Sequence, residues 1–185
     1  MIIKEIRIKN FRSYYGDNNL FEFSNGLTLI LGDNGDGKTT FFEALEWLFK
    51  TELDRGNKEL ENVSEMRKSQ LEIGEQDEVS VFMSFEHDGL KSVEKSFIFE
   101  RTGDTSYRVG KVNYTGYEDT DSGREQVSGK VLINRCYDSF IQRFSMFKGE
   151  SRLDVFNDKT ALKTLVDKFS DIKAFDQLVE HASSL

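Results

Sequence analysis

The residues best placed to do chemistry lie in one short run, Gly32-Asp33-Asn34-Gly35-Asp36-Gly37-Lys38-Thr39. It reads G-x-x-x-x-G-K-T. Glycines at this spacing allow positive φ and let the main chain approach an anion with no Cβ in the way. The loop's N–H groups, and the helix start that follows, then point at phosphate oxygens with the helix dipole assisting. Lys38 would reach the β- and γ-phosphates. The Thr39 hydroxyl would hold Mg²⁺, an ion that takes oxygen ligands and shares them with phosphates. The flanks give the pattern its meaning: Leu27-Thr28-Leu29-Ile30-Leu31 reads as a short buried-type strand, and residues 40–49 as a helix without a breaker. Strand before and helix after weigh against an ordinary glycine turn.

A scaffold must hold these groups. Ile2, Ile3, Ile6 and Ile8 interleave with Lys4, Glu5, Arg7 and Lys9, which gives a strand with one apolar face from Ile6 onward. Residues 10–17 read as a loop, Leu20-Phe21-Glu22-Phe23 as a second strand, and Ser24-Asn25-Gly26 as a turn. Residues 51–75 are polar and read as a surface segment with some helix, Lys58, Arg67 and Lys68 forming a solvated face. Alternation over 78–86 and 91–100, with His87-Asp88-Gly89 between, predicts a hairpin. A third strand near 106–117 would complete an antiparallel region over about 78–117. Residues 118–129 look like loop and 130–144 like helix. At the end, Leu162, Leu165, Phe169 and Ile172 follow helical spacing. Residues 159–185 therefore read as an amphipathic helix, either the root of a coiled coil or a surface helix packed on its own domain.

Composition bounds the rest. At 185 residues the chain can bury one real core. Charged residues make up 31% and no 18-residue apolar run occurs, so no span crosses a membrane as a helix. The first residues alternate and so form a strand, not a signal peptide. The single cysteine, Cys136, excludes an internal disulfide, and its apolar surroundings suggest a buried structural thiol. His87 and His181 lie far apart with no companion cysteine, so a metal site on them has little support. The net charge of -8 excludes a uniformly basic nucleic-acid-binding domain. It leaves open a local basic stripe.

The opening resembles a known family. Ile8-Lys9-Asn10-Phe11-Arg12-Ser13, then Phe21-Glu22-Phe23, then Gly32 to Thr40 and an apolar helix is similar to the N-terminal lobe of the structural-maintenance-of-chromosomes (SMC), SbcC and RecF-like ATPases. These are ABC-type ATPases of DNA repair, chromosome organisation and antiphage defence. The likeness returns at Phe147-Lys148-Gly149-Glu150, which resembles the family's Q-loop, commonly Gln-Gly-Glu. It implies an α/β fold: a P-loop head lobe over residues 1–158 carrying an antiparallel β subdomain, with 159–185 starting a coiled-coil helix. It also implies ATP and Mg²⁺ as cofactors. The site residues it implies are Arg12, Ser13, Asp33, Asn34, Gly35, Asp36, Gly37, Lys38, Thr39, Thr40 and Lys148, with Thr39 as the Mg²⁺ ligand. Asn34 matches the asparagine that reaches the γ-phosphate in this family, and Arg12 with Ser13 match a pair placed beside the nucleotide. A guanidinium suits that task because it can fork onto phosphate. A solvated loop arginine is the alternative.

Two departures stand out. Lys148 replaces the usual glutamine, and lysine has donors only, so it could touch a γ-phosphate but not ligate a metal. Gln142, six positions upstream, is a possible substitute on chemistry alone. Asp36 stands where a small residue is usual, and a carboxylate there is expected to point to solvent, away from the phosphates. Three family features are missing: a Leu-Ser-Gly-Gly signature, an apolar strand ending Asp-Glu, and a switch histidine. No residue here serves as general base, so no catalytic residue is assigned. The chain thus looks like the N-terminal half of a head, either a segment of a longer protein or an engineered piece of one, with the C-terminal lobe supplied from elsewhere.

The implied function is ATP binding and head dimerisation coupled to double-stranded DNA in repair or antiphage defence. Implied partners are that C-terminal lobe, a second copy of the head, DNA, and a nuclease or other effector subunit. The implied location is cytoplasmic or nucleoid-associated. A nucleotide-sensing scaffold with little turnover, supported by Lys148, and a stand-alone P-loop phosphotransferase are the competing readings.

Overall fold

The alternation in the first strand sets the inside of a sheet. The computed structural model describes residues 1–51, 57–120, 123–137 and 142, which belong to one contact unit, Met1–Gln142. Lys148, the Q-loop-like segment 147–150 and the helix expected over 159–185 lie outside the described residues. β1 (Ile2–Lys9) pairs on one side with β2 (Asn19–Glu22) and on the other with β3 (Gln76–Glu86). β4 (Leu90–Arg101), β5 (Tyr107–Val109), β6 (Asn113–Thr120) and β7 (Gly123–Ser128) extend the sheet. The order is β2-β1-β3-β4-β6-β7, with β5 also on β4, and every pairing is antiparallel.

Register decides which side chains meet. Ile6 faces Met83, which faces Val93; Ile8 faces Val81, which faces Lys95. All of these are fully or almost fully buried, as are Val79, Phe85, Phe97 and Phe99. The hairpin expected at His87-Asp88-Gly89 forms, with φ of 51° at Asp88 and 99° at Gly89. Turn residues with positive φ match the right-handed twist of the flanking strands, and glycine takes them at no steric cost.

Three helices and one 3₁₀ turn complete the described part: α1 (Lys38–Phe49), the 3₁₀ turn Asn57–Asn62, α2 (Glu65–Gln70) and α3 (Gly129–Cys136). α3 seats Leu132 and Ile133 on the sheet, both fully buried. It can lie that close because Gly116 and Gly129 lack a Cβ: one at Gly116 would stand 2.9 Å from Leu132, and one at Gly129 2.4 Å from the Tyr114 ring. Cys136 is buried at the end of this helix.

Several expectations need correcting. The segment expected to be loop over 118–129 supplies the end of β6 and all of β7. Five of the six β7 residues are exposed, so the strand is held by its ladder to β6 rather than by a buried face, and leaves no apolar period to read. The expected helix over 130–144 is realised at its start as α3, Gly129–Cys136; Gln142 is also helical, and 138–141 and 143–144 lie outside the described residues. Lys68 and Arg67 are not a solvated face. Lys68 is 9% exposed and bonds Glu65, while Arg67 pairs with Asp77. Finally, Leu27–Leu31 pairs with no strand among the described residues. Its leucines are exposed, at 86% for Leu27, 70% for Leu29 and 85% for Leu31.

α1 is fixed to the sheet at its far end. Lys95 on β4 is 1% exposed, and its ammonium donates to the carbonyls of Trp47 and Lys50, each at 2.8 Å. These are carbonyls at the helix C-terminus, which no helical N–H can satisfy. The cation also lies 4.7 Å from the Trp47 ring centroid, and that ring packs on Phe11 and Phe97. Lys95→Met keeps most of the volume but leaves the carbonyls without a donor. We expect it to cost about 2–3 kcal/mol, read as a lower urea midpoint with an unchanged slope. A loss below about 0.5 kcal/mol, the size of a neutral surface change, would show that the ammonium does not anchor the helix.

Candidate phosphate-binding site

The loop and helix stand as the spacing requires. Gly35 has φ 103° and Gly37 φ 88°, backbone that side chains with a Cβ rarely adopt. Gly37 is the N-cap of α1, and its carbonyl accepts the first helical bond from Phe41 at 2.8 Å. Lys38, Thr39 and Thr40 form the first turn, so their N–H groups lack helical partners and face out of the helix end. The first turn carries no acidic residue that would cap it.

The loop after β1 closes over this point. Asn10 and Arg12 both have positive φ, 53° and 50°. The Tyr14 hydroxyl donates to the Gly37 carbonyl at 3.1 Å, and the Ser13 hydroxyl lies where a Cβ on Gly37 would be 2.9 Å away. The structure thus brings Ser13 against the loop–helix junction. Burial pushes the Tyr14 phenol up from its ordinary value. Behind it, Tyr14, Phe21 and Phe41 stack edge to face at 5.7 and 4.8 Å, which fastens the start of α1 to β2.

Arg12 is held by two partners. Its guanidinium donates to the Glu43 carboxylate on α1 at 2.5 Å, and to the Asn62 side-chain oxygen at 3.2 and 3.3 Å. Asn62 in turn donates to buried Glu59 at 2.9 Å, which accepts from the Trp47 indole at 2.8 Å. The chain of bonds runs from the β1 loop through the 3₁₀ turn back to α1. Beside it opens a cleft of about 420 Å³ lined by Arg12, Ser13, Tyr15, Val63, Ser64 and Met66 among others.

Within the loop, Lys38 folds back, donating to the Gly32 and Asp33 carbonyls at 2.5 and 2.6 Å. Asp36 does not point away from the loop as expected. Its carboxylate accepts the Asp33 N–H at 2.5 Å and lies over Gly32, where a Cβ would meet it at 2.8 Å. Asp33, Asn34 and Thr39 are exposed and Thr40 half-buried. Gln142 donates its amide to the Tyr137 carbonyl at 2.8 Å. Among the described residues no cluster of three or more metal-ligating His, Cys, Asp or Glu forms. None of the described helices is long and apolar enough to cross a membrane.

Comparison with known proteins shows the family. The AAA domain family matches residues 5–185. The DNA double-strand break repair Rad50 ATPase of Methanococcus maripaludis is 33% identical over 142 residues, 74% of this chain and 13% of that protein. The DNA replication and repair protein RecF of Streptococcus uberis is 35% identical over 86 residues, 46% of this chain and 23% of that protein. The chain is an AAA-domain protein, the N-terminal head region of an SMC/SbcC/RecF-like ABC ATPase. A solved chain from work on ATP-driven dimerization and DNA-stimulated activation of SMC ATPases shares the fold of this head region. The TM-score is 0.52 at 16% identity, covering 92% of this chain and 100% of that one. The head region spans 13% and 23% of the lengths of the two relatives.

Several supporting residues of the head region escaped the sequence reading. Asn10 is 1% exposed and bonds the Asp77 carboxylate at 3.1 Å, the Glu78 carbonyl at 2.9 Å and the Gly16 N–H at 3.0 Å. Tyr14, Glu43, Glu59 and Asn62 are also part of the support. The one available signal was a buried-strand end followed by Asn, a residue that tolerates left-handed backbone. Asp77 carries much of the load. Burial pushes its carboxyl up, but the Glu78 amide, Arg67 and Lys9 outweigh that and hold it below the usual range. A depressed carboxyl adds stability above its unfolded value, near pH 3.9, and loses it as pH falls through the folded value. Asp77→Asn should therefore cost about 1–2 kcal/mol at pH 7. It should also flatten the acid limb of the stability curve. An acid limb unchanged from wild type would refute this role.

Proposed function

We propose that the chain is the ATP-binding half of a head that works in DNA repair or defence, with Mg²⁺ bound between Thr39 and the phosphates. One observation supports this above the rest: a glycine-rich loop with positive φ at Gly35 and Gly37 leads directly into the free N-terminus of a helix clamped at its other end. The amides of residues 33–40 and the Lys38 ammonium would take the phosphate oxygens. Asn34 would reach the γ-phosphate, with Arg12 and Ser13 at the edge of the site. When bound, ATP supplies a phosphoanhydride whose hydrolysis can reset the head. The chain's own residues bind and orient it, and none of them is suited to activate water.

The missing parts would come from a C-terminal lobe. Leu27, Leu29 and Leu31 are exposed just ahead of the loop, in a segment that belongs to no helix or strand. A strand of that lobe paired to this segment would remove the apolar run from water and fix the loop from its N-terminal side. Two heads sandwiching ATP would then couple closure to double-stranded DNA, and a nuclease or other effector would act on the product of that closure. The Rad50 and RecF names of the relatives fit the repair reading.

Lys38→Ala should weaken MgATP binding at least 100-fold in isothermal titration, since it removes the one ammonium of the loop. Retained affinity would refute the phosphate-loop assignment. The chain alone should show no ATP turnover above buffer. Adding the C-terminal lobe in trans should slow amide exchange across 27–31 by at least tenfold. Unchanged exchange in a mixture that forms a complex would place the lobe elsewhere.

A further inference from the structure

Two asparagines of the chain stand directly before a glycine, in Asn25-Gly26 and Asn34-Gly35. That pairing has a chemistry of its own. The main-chain nitrogen after an asparagine can attack the side-chain carbonyl carbon, and a following glycine leaves the approach open because it carries no Cβ. Local structure decides whether the attack occurs. Asn34 and Gly35 are the central residues of a turn closed by the Asp36 N–H on the Asp33 carbonyl at 3.3 Å. Both are exposed, and nothing lies within 4 Å of the point where a Cβ on Gly35 would stand. Among the described residues neither the Asn34 side chain nor the Gly35 N–H makes a hydrogen bond. The two groups can therefore rotate into reach without losing a contact. Asn10, Asn19 and Asn62 differ on both counts: their amides are bonded, and Phe11, Leu20 and Val63 follow them.

We propose that Asn34-Gly35 is a site of spontaneous deamidation, guarded by bound nucleotide. The Gly35 nitrogen gives its proton to base and bonds to the Asn34 Cγ. The Cγ–Nδ2 bond breaks and the amide nitrogen leaves as ammonia. Water then opens the cyclic imide at one carbonyl or the other, which gives aspartate or isoaspartate. Water is the one co-reactant, and no redox change occurs. The guard rests on the phosphate-loop reading above. In that reading the Gly35 N–H meets a phosphate oxygen and the Asn34 amide reaches the γ-phosphate, so nucleotide holds both reacting groups apart. The product binds phosphate poorly. A new carboxylate joins Asp33 and Asp36 and repels phosphate charge. Isoaspartate also adds a main-chain carbon ahead of Gly35 and shifts the amides that follow. The loop thus records how long it has stood without nucleotide.

The test incubates the full 185-residue chain at mildly alkaline pH and maps its peptides by mass spectrometry. A synthetic peptide of residues 31–39 sets the unhindered rate. In the nucleotide-free chain Asn34 should convert within about tenfold of that rate, because an exposed turn opens at almost no cost. A slower Asn34 would overturn the proposal. Saturating MgATP should slow Asn34 by at least about tenfold and leave Asn25 unchanged, since only the first lies in the site. Equal Asn34 rates with and without MgATP, in a chain that binds MgATP by isothermal titration, would overturn the guard. Equal slowing of Asn34 and Asn25 would do the same. The deamidated chain should bind MgATP about tenfold more weakly than the fresh chain, and Asn34→Asp should weaken binding in the same direction. Asn34→Gln keeps an amide but must close a larger ring, so after incubation it should retain the affinity it starts with. A loss in Asn34→Gln equal to that of wild type would overturn the assignment of the loss to Asn34. Failure of the fresh chain to bind MgATP would overturn the phosphate-loop reading and the guard with it, while conversion at the peptide's rate would still establish the deamidation site.

Discussion

A twelve-residue helix carries a dipole and unbonded N–H groups whichever way it points. α1 can present them to a fixed place only because both ends are fastened. At the C-terminal end the Lys95 ammonium closes on two carbonyls. At the N-terminal end the Tyr14 hydroxyl and the Phe21–Phe41 contact hold the first turn against β2. Burying a lysine is costly unless every donor is used. Two carbonyl bonds and two ring faces, Trp47 and Tyr114, surround this one. The antiparallel sheet therefore does more than supply a core. Register places Lys95 opposite Val81, and its ammonium reaches the helix end, which ties the geometry of the loop to strand pairing far from it in sequence.

The sheet is well made on one side and open on the other. Its inner face is sealed by large apolar residues with essentially no exposure. The run 27–31, more apolar than most of the strands, lies in water. Burying one leucine fully is worth about 1.5–3 kcal/mol, so three exposed leucines in a row are a strong demand for a covering surface. That demand sits immediately before the loop. Any surface that covers the run also restricts the loop, so covering the run and ordering the loop are energetically linked.

How much of this could be read from residues alone follows from where the physics is local. The hairpin of β3 and β4 was legible because alternation, turn residues and burial agree over more than twenty positions. The turn into α1 was legible because the glycines and an unbroken helical run follow one another. β7, Gly-Arg-Glu-Gln-Val-Ser, was not, since five of its six residues are exposed and no apolar alternation marks it. The run Leu27–Leu31 read as buried because apolar composition reports what a segment needs rather than what its neighbours here supply. Lys68 read as solvated for the opposite reason: its stem is covered while its ammonium reaches Glu65. The direction of Asp36 depends on a contact across three residues with no periodic signal. Its proximity to Gly32 explains the surprise.

The Arg12 cluster shows why such a site should be judged by exchange rather than by inventory. In the described structure the guanidinium already has Glu43 and Asn62, so a phosphate would replace bonds rather than fill empty ones. The net gain from such a swap is a small difference between large quantities. The same holds for Lys38, which leaves two carbonyls to reach an anion. Asn62, Glu59 and Trp47 keep Arg12 in place from behind. A side chain already held in one position pays less conformational cost on binding. The self-satisfied contacts raise the threshold instead: an anion that meets one donor gains little, and one that meets several donors together gains on each.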